Sequence, residues 1–268
     1  MQLRLTPVVK VLLIINLAVF VLGYMISSFY HIDYTDYLAM SYFQSDYFHS
    51  YQVLTHFFVH FTISHLVFNM FGLFSFGPVL ESLWGAKKFL FFYIFCALGS
   101  AMLHSSVNFY QVSKVTEAES EFIANPTPEY FISLAKISGT ESFFTENQFI
   151  KEFEEHPGDP KLIEYAISTV HEIDSSLKNS FRMAGASGAI FGLLVAFGML
   201  FPNTELMLMF IPFPIKAKYF VLIYAGIELF LGVSNYKWDS VAHFAHLGGA
   251  LFGFILVKYW QKQRNTFY

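Results

Sequence analysis

Gly185-Ala186-Ser187-Gly188-Ala189-Ile190-Phe191-Gly192-Leu193-Leu194-Val195-Ala196-Phe197-Gly198 is a run of small and apolar residues with a single hydroxyl near its start. A second run, Ala245-His246-Leu247-Gly248-Gly249-Ala250-Leu251-Phe252-Gly253, has the same character and carries a single imidazole. Both read as helices for a lipid solvent, where every backbone N–H and C=O must be paired within the segment. If the two pack side by side, a serine and a histidine meet below a bilayer surface.

Composition supports the lipid reading. Apolar residues are 55% of the 268 and charged residues only 13%, against about 25% charged in ordinary soluble domains. With 34 Phe, the chain has more apolar surface than a soluble fold could hide, which excludes a soluble hydrolase. One cysteine, Cys96, excludes an internal disulfide framework and a cysteine metal cluster. The net charge of −4 points to no nucleic-acid partner.

A bilayer core takes about 20 apolar residues per helix. The sequence predicts six such spans, at about 8–28, 53–76, 87–107, 184–201, 216–233 and 241–260. The expected fold class is all-α: a polytopic six-helix membrane bundle, one domain over 1–268, with 108–183 as a helical extramembrane insertion. The first span lacks a small-residue cleavage site at its end and reads as an uncleaved helix.

Basic residues orient the bundle. Arg4 and Lys10, Lys87 and Lys88, Lys216 and Lys218, and Lys258, Lys262 and Arg264 fall on one side by turns, which predicts both termini in the cytoplasm. The opposite face receives residues 29–52, the stretch 108–183 and a short connection from Asn235 to Ser240. Ser187 and His246 then sit just inside helices entered from that outer face.

The stretch 108–183 holds thirteen acidic residues against six basic ones and is too polar to cross a membrane. Leu162, Ile163, Ala166, Ile167, Val170, Ile173 and Leu177 recur on a helical period. Phe143, Phe144, Phe149 and Phe153 form a second stripe, and Pro157-Gly158-Asp159-Pro160 is a turn between the two. The stripes are expected to pack on each other or on the bundle rim; a lid or substrate-recognition element is the alternative.

Ser187 is a poor nucleophile unless a base within about 3 Å removes its proton. Small residues around it fit the approach of a substrate backbone, and equally fit plain helix packing. His246 tips the balance, since an imidazole in an apolar helix needs a polar partner. Gly249 and Gly253 make a small-residue stripe suited to contact with the Ser187 helix. His243, one turn nearer the surface, is the weaker base. Asp239 is seven residues before His246, about 10 Å along a helix, so a Ser-His dyad is expected without an acidic third member.

The third polar cluster is His56, His60, His65 and Asn69. His65 and Asn69, four apart, share a helix face, expected about three turns below the outer surface. Their N–H groups suit an oxygen that gains negative charge in acyl transfer; tying helices together is the plainer role. His56 and His60 read as packing or water-holding groups. Glu228, inside an apolar helix, needs a partner or a water path.

Taken together, the chain resembles the rhomboid family of intramembrane serine proteases in its six-helix bacterial form. The family's His-x-x-x-Asn motif corresponds to His65 and Asn69, its Gly-x-Ser-Gly to Gly185-Ala186-Ser187-Gly188, and its Ala-His-x-x-Gly to Ala245-His246-Leu247-Gly248-Gly249. The resemblance implies Ser187 as nucleophile, His246 as general base, and His65, Asn69 and the Ser187 backbone N–H as oxyanion hole. It further implies single-span or polytopic membrane-protein substrates, contact with membrane lipid, no cofactor and no metal. The implied location is the cell inner membrane, with the active site opening outward; the oligomeric state is left open.

Three positions depart from the family pattern. Tyr51-Gln52 stands where members often have Trp-Arg, Phe191 where many place a tyrosine on the catalytic histidine, and the outer insertion is long. Glu81 resembles a family position bracing loop and helix, although from the residues alone a solvated carboxylate is simpler. Other readings are a catalytically inactive relative that binds membrane clients, a transporter or channel, and metal chemistry at His56, His60 and His65. Both Ser187 and His246 are present, no inverted repeat is evident, and no acidic ligand accompanies the three histidines.

Overall fold

The structure, a computed structural model, describes residues 5–144, 148–207, 213–234 and 241–265. Arg4 and the Asn235–Ser240 connection with Asp239 lie outside the described residues.

The chain is mostly helical. In order it forms α1 (Pro7–Tyr30), α2 (Tyr34–Leu38), β1 (Met40–Ser41), α3 (Gln52–Thr55), a 3-10 turn (His56–Phe58), α4 (Ile63–Trp84), α5 (Ala86–Ala124), α6 (Pro128–Ile137), α7 (Glu141–Phe144), α8 (Gln148–Glu155) and α9 (Pro160–Ser180). Then follow β2 (Arg182–Met183), α10 (Ser187–Leu200), β3 (Glu205–Leu206), β4 (Ile215–Lys216), α11 (Ala217–Ser234) and α12 (His243–Asn265). The two-residue strands depart from an all-α expectation. β3 and β4 pair antiparallel with Glu205 opposite Lys216, a pairing that opposite charges favour.

Among the described residues, α1, α4, α5 and α11 are long and apolar enough to cross a membrane. α10 is equally apolar but only 14 residues long, and α12 carries Lys258, Gln261 and Lys262 in its last turns. Four helices therefore meet the span criterion where six were expected. The outward side chains of α1 and α11, among them Val11, Leu17, Leu22, Leu222, Ile223 and Phe230, are exposed apolar groups, as lipid-facing surfaces are.

The second expected span is displaced. Residues 53–62 form α3, the 3-10 turn and an extended link, and α4 begins only at Ile63. The cause is local: Val59 is extended and Thr62 caps α4, its hydroxyl accepting from His65 N–H at 3.1 Å. His56 and His60 thus precede the helix instead of lying on it.

The chain divides into two compact units. The first comprises residues 1–40, 49–105 and 183–268. Its core joins Val9 and Leu12 of α1, Leu73 and Leu80 of α4, Phe89, Phe92 and Tyr93 of α5, Leu193 of α10 and Val257 of α12. α10 is its central helix, with every residue from Gly188 to Gly198 buried. That explains a helix apolar on all sides: it is surrounded by protein.

Glu81 helps to fix this unit. It lies in the last turn of α4, 3% exposed, not in a solvated loop as its charge suggested. Its carboxylate accepts from Thr6 Oγ1 at 2.5 Å, Val8 N at 3.0 Å and Val9 N at 2.9 Å. A side chain from α4 therefore caps the N-terminus of α1, where free N–H groups and the helix dipole favour a negative charge.

The second unit comprises residues 41–48 and 106–182. Ala118, Phe122, Phe131, Leu134, Ile150, Phe153, Ala166 and Val170 form its core, with Phe144, Phe149, Leu162 and Ile167 against it. The two predicted stripes pack on each other, apart from Phe143, which is exposed, and Leu177, which lies outside this core. The turn between them is as expected: α9 starts at Pro160, capped by Asp159, which accepts from Lys161 N at 2.8 Å.

Candidate active site

Ser187 is the first residue of α10 and is half-buried. The chain reaches it through Gly185, whose φ of 109° lies in a region open to glycine. Gly185 N–H donates to the His56 carbonyl at 2.9 Å. A Cβ at Gly185 would stand 2.5 Å from His65 Nε2 and 3.2 Å from Asn69 Nδ2. The imidazole and carboxamide of α4 thus lie directly over the backbone that leads into Ser187.

Because α4 starts at Ile63, His65 and Asn69 occupy its first two turns, nearer the helix start than a span from residue 53 implies. They share a face, as their spacing predicts. Asn69 is buried, and its Nδ2 has no hydrogen-bond partner among the described residues. An unpaired buried donor costs about 1–3 kcal/mol, and a donor left open beside a serine is available to a substrate oxygen. His60 is buried with its ring 5.0 Å from that of His65. His56 is buried and its Nδ1 lies 3.0 Å from the Gln52 carbonyl.

Gln52, where family members often have an arginine, anchors the preceding loop without a charge. It is fully buried, accepts from His49 N at 3.2 Å and donates to the Tyr37 carbonyl at 3.3 Å.

α12 comes against α10 through glycine. A Cβ on Gly249 would overlap the Gly188 carbonyl, and one on Gly253 would stand 2.8 Å from Gly192 Cα. The expected Gly249/Gly253 stripe is therefore where the two backbones touch. Ser100 of α5 pins the start of α12, donating to the Ala245 carbonyl at 2.7 Å. These contacts bring the Ser187 and His246 helices together, while no hydrogen bond joins Ser187 Oγ to His246 among the described residues. Catalytic hydrogen bonds of free enzymes are often long and close only around substrate.

The His246 ring lies on Phe191, with centroids 4.3 Å apart and 6° between planes. The stacking survives without a tyrosine hydroxyl. Tyr224 of α11 also packs on Phe191, with centroids 4.8 Å apart.

The acid beside His246 was not foreseen. His246 Nδ1 lies 2.9 Å from Glu228 Oε2, and His243 Nδ1 lies 2.7 Å from the same oxygen. Glu228 is 4% exposed. The expectation of no acidic third member considered α12 and its approach, where Asp239 falls outside the described residues; Glu228 arrives from α11, eighteen positions away in sequence. The only signal was an acid inside an apolar helix, which shows that a partner is needed but not which one. The donor atoms of Glu228, His243 and His246 lie within 4.8 Å of one another, close enough for one cation, although 2.7 and 2.9 Å are ordinary N–H to oxygen hydrogen bonds.

The Rhomboid domain family matches residues 47–115 and 162–262, well over half of the chain. The chain is 35% identical over 85 residues to the mitochondrial rhomboid protein 1 of Saccharomyces cerevisiae, covering 30% of this chain and 24% of that protein. It is 37% identical over 87 residues to an uncharacterized mitochondrial rhomboid protein of Schizosaccharomyces pombe, covering 30% of this chain and 22% of the relative. The matched stretch thus spans about a quarter of the curated relatives' length.

Proposed function

The chain belongs to the rhomboid family, and on that premise we propose that it is an intramembrane serine endopeptidase that cuts peptide bonds in or near transmembrane segments. The observation that carries the reading is the convergence of His65 and Asn69 over Gly185, two residues ahead of Ser187, while glycine contacts hold α12 with His246 against α10.

Ser187 Oγ attacks the scissile carbonyl as His246 takes its proton; the carbonyl oxygen, now negative, is met by Asn69 Nδ2, His65 and the Ser187 N–H. His246 gives its proton to the departing amine, then activates water to hydrolyse the acyl-enzyme. No step calls for a cofactor. Substrates are membrane proteins whose helices unwind locally, since an intact helix hides its carbonyls in hydrogen bonds.

The finer organisation belongs to the same proposal. α1, α4, α5, α10, α11 and α12 form a six-helix membrane domain of the bacterial type in the cell inner membrane, with both termini cytoplasmic and the site opening to the outer face. Residues 108–183 are its outer insertion. The distribution of Lys87, Lys88, Lys216, Lys218, Lys258 and Lys262 supports that orientation.

The test is cleavage of a panel of single-span membrane proteins in vesicles by the purified chain, with Ser187→Ala and His246→Ala beside it. The expected result is turnover by the unsubstituted protein alone. Turnover surviving either substitution overturns the assignment, and no turnover by folded protein favours a client-binding relative.

A further inference from the structure

We propose that Glu228 is a positioning residue for His246, holding it as the Nδ1–H tautomer with Nε2 free to act as base; its catalytic part rests on the protease reading above. The site would then be a Ser187-His246-Glu228 triad and not a dyad.

Glu228 is a carboxylate on an apolar helix, almost fully removed from solvent. Such a group is costly unless hydrogen bonds or a counter-charge compensate it. The compensation on hand is two imidazole N–H groups on one oxygen, from His243 at 2.7 Å and His246 at 2.9 Å. An ionised carboxylate only accepts, so both Nδ1 atoms carry the hydrogen. That leaves the His246 lone pair on Nε2, the nitrogen on the opposite edge of the ring.

Phe191 completes the restraint. A flat stack at 4.3 Å and 6° fixes the plane of the ring, and Glu228 fixes its rotation within that plane. Neither contact alone does both. When Nε2 takes the Ser187 proton, the imidazolium forms beside the Glu228 carboxylate, whose charge stabilises it. Glu228 keeps its protonation state, and the proton passes from His246 to the leaving amine, as in other serine-histidine-carboxylate sites. His243 has the supporting part of donating to the same carboxylate oxygen.

The experiment uses the full chain in lipid vesicles: unsubstituted protein, Glu228→Ala, Glu228→Asp, and Ser187→Ala as the inactive control. Two quantities are read, the 15N imidazole shifts of His246 and the cleavage kinetics per folded molecule. The expected spectrum is Nδ1–H in the unsubstituted protein and a mixed or reversed tautomer in Glu228→Ala. The expected kinetics are a fall in kcat of about 100-fold or more with KM nearly unchanged, partly restored by Glu228→Asp.

A His246 spectrum unaltered in Glu228→Ala overturns the proposal, as does a kcat within about twofold of the unsubstituted protein. If Glu228→Ala fails to fold, Glu228→Asp carries the same two readouts, because a shortened side chain loosens the tautomer before it removes the charge. Absence of turnover in the unsubstituted protein overturns the protease reading instead, and the nitrogen spectra then decide the positioning role by themselves.

Discussion

Phe191 lies flat on His246, 4.3 Å between ring centroids and 6° between their planes. Phe191 is on the buried central helix and His246 on the helix packed against it, so the stack converts a helix–helix contact into a fixed imidazole plane. Removing the ring frees that plane without touching any proposed reacting group. Phe191→Ala is expected to lower kcat about 2- to 13-fold, the equivalent of the 0.5–1.5 kcal/mol specific to aromatic pairs. Phe191→Tyr should retain the stack and most of the rate. Steady-state cleavage in vesicles distinguishes them.

Asn69 presents a buried donor with no partner among the described residues. If it meets the substrate oxygen only as negative charge develops, its loss appears in kcat and not in KM. Asn69→Ala should reduce kcat about 10²- to 10³-fold and leave KM nearly constant. A rise in KM at constant kcat would mean that Asn69 binds substrate uniformly.

Gly249 meets Gly188 backbone to backbone. Alanine is ordinarily a better helix former than glycine, yet here its methyl group would enter the space of the Gly188 carbonyl. Gly249→Ala is expected to destabilise the protein by about 1–3 kcal/mol or more, the cost of overpacking. Gly226 on α11 has nothing within 4 Å of where a Cβ would be, and Gly226→Ala should keep or raise stability, by up to about 1 kcal/mol. Thermal unfolding of the two variants in one detergent makes the comparison.

Glu81 holds three donors at the start of α1 from the end of α4. Substituting alanine leaves buried N–H groups unpaired and removes a charge placed favourably for the helix dipole. Glu81→Ala should cost about 2 kcal/mol, visible as a lower unfolding midpoint and as earlier protease cleavage near Thr6.

The sequence alone determined that this is a mostly helical chain of membrane-protein character and which residues are candidates for its chemistry. Apolar length is a property of consecutive residues, and the period of a helix tells which of them share a face, so His65 with Asn69 and Gly249 with Gly253 could be paired in advance. Helix ends were less legible. The chain from Val53 to Phe61 is apolar enough to continue a helix, and it was the extended backbone at Val59 and the Thr62 cap that moved the start of α4 to Ile63. What only the tertiary structure decided were the partners of isolated charges. Glu81 and Glu228 each stand in an apolar context that demands compensation, but hydrogen bonds close over a few ångströms in space, not along the chain. Only the packing of α1 on α4 and of α11 on α12 brings the Val8 and Val9 amides to one carboxylate and His243 and His246 to the other.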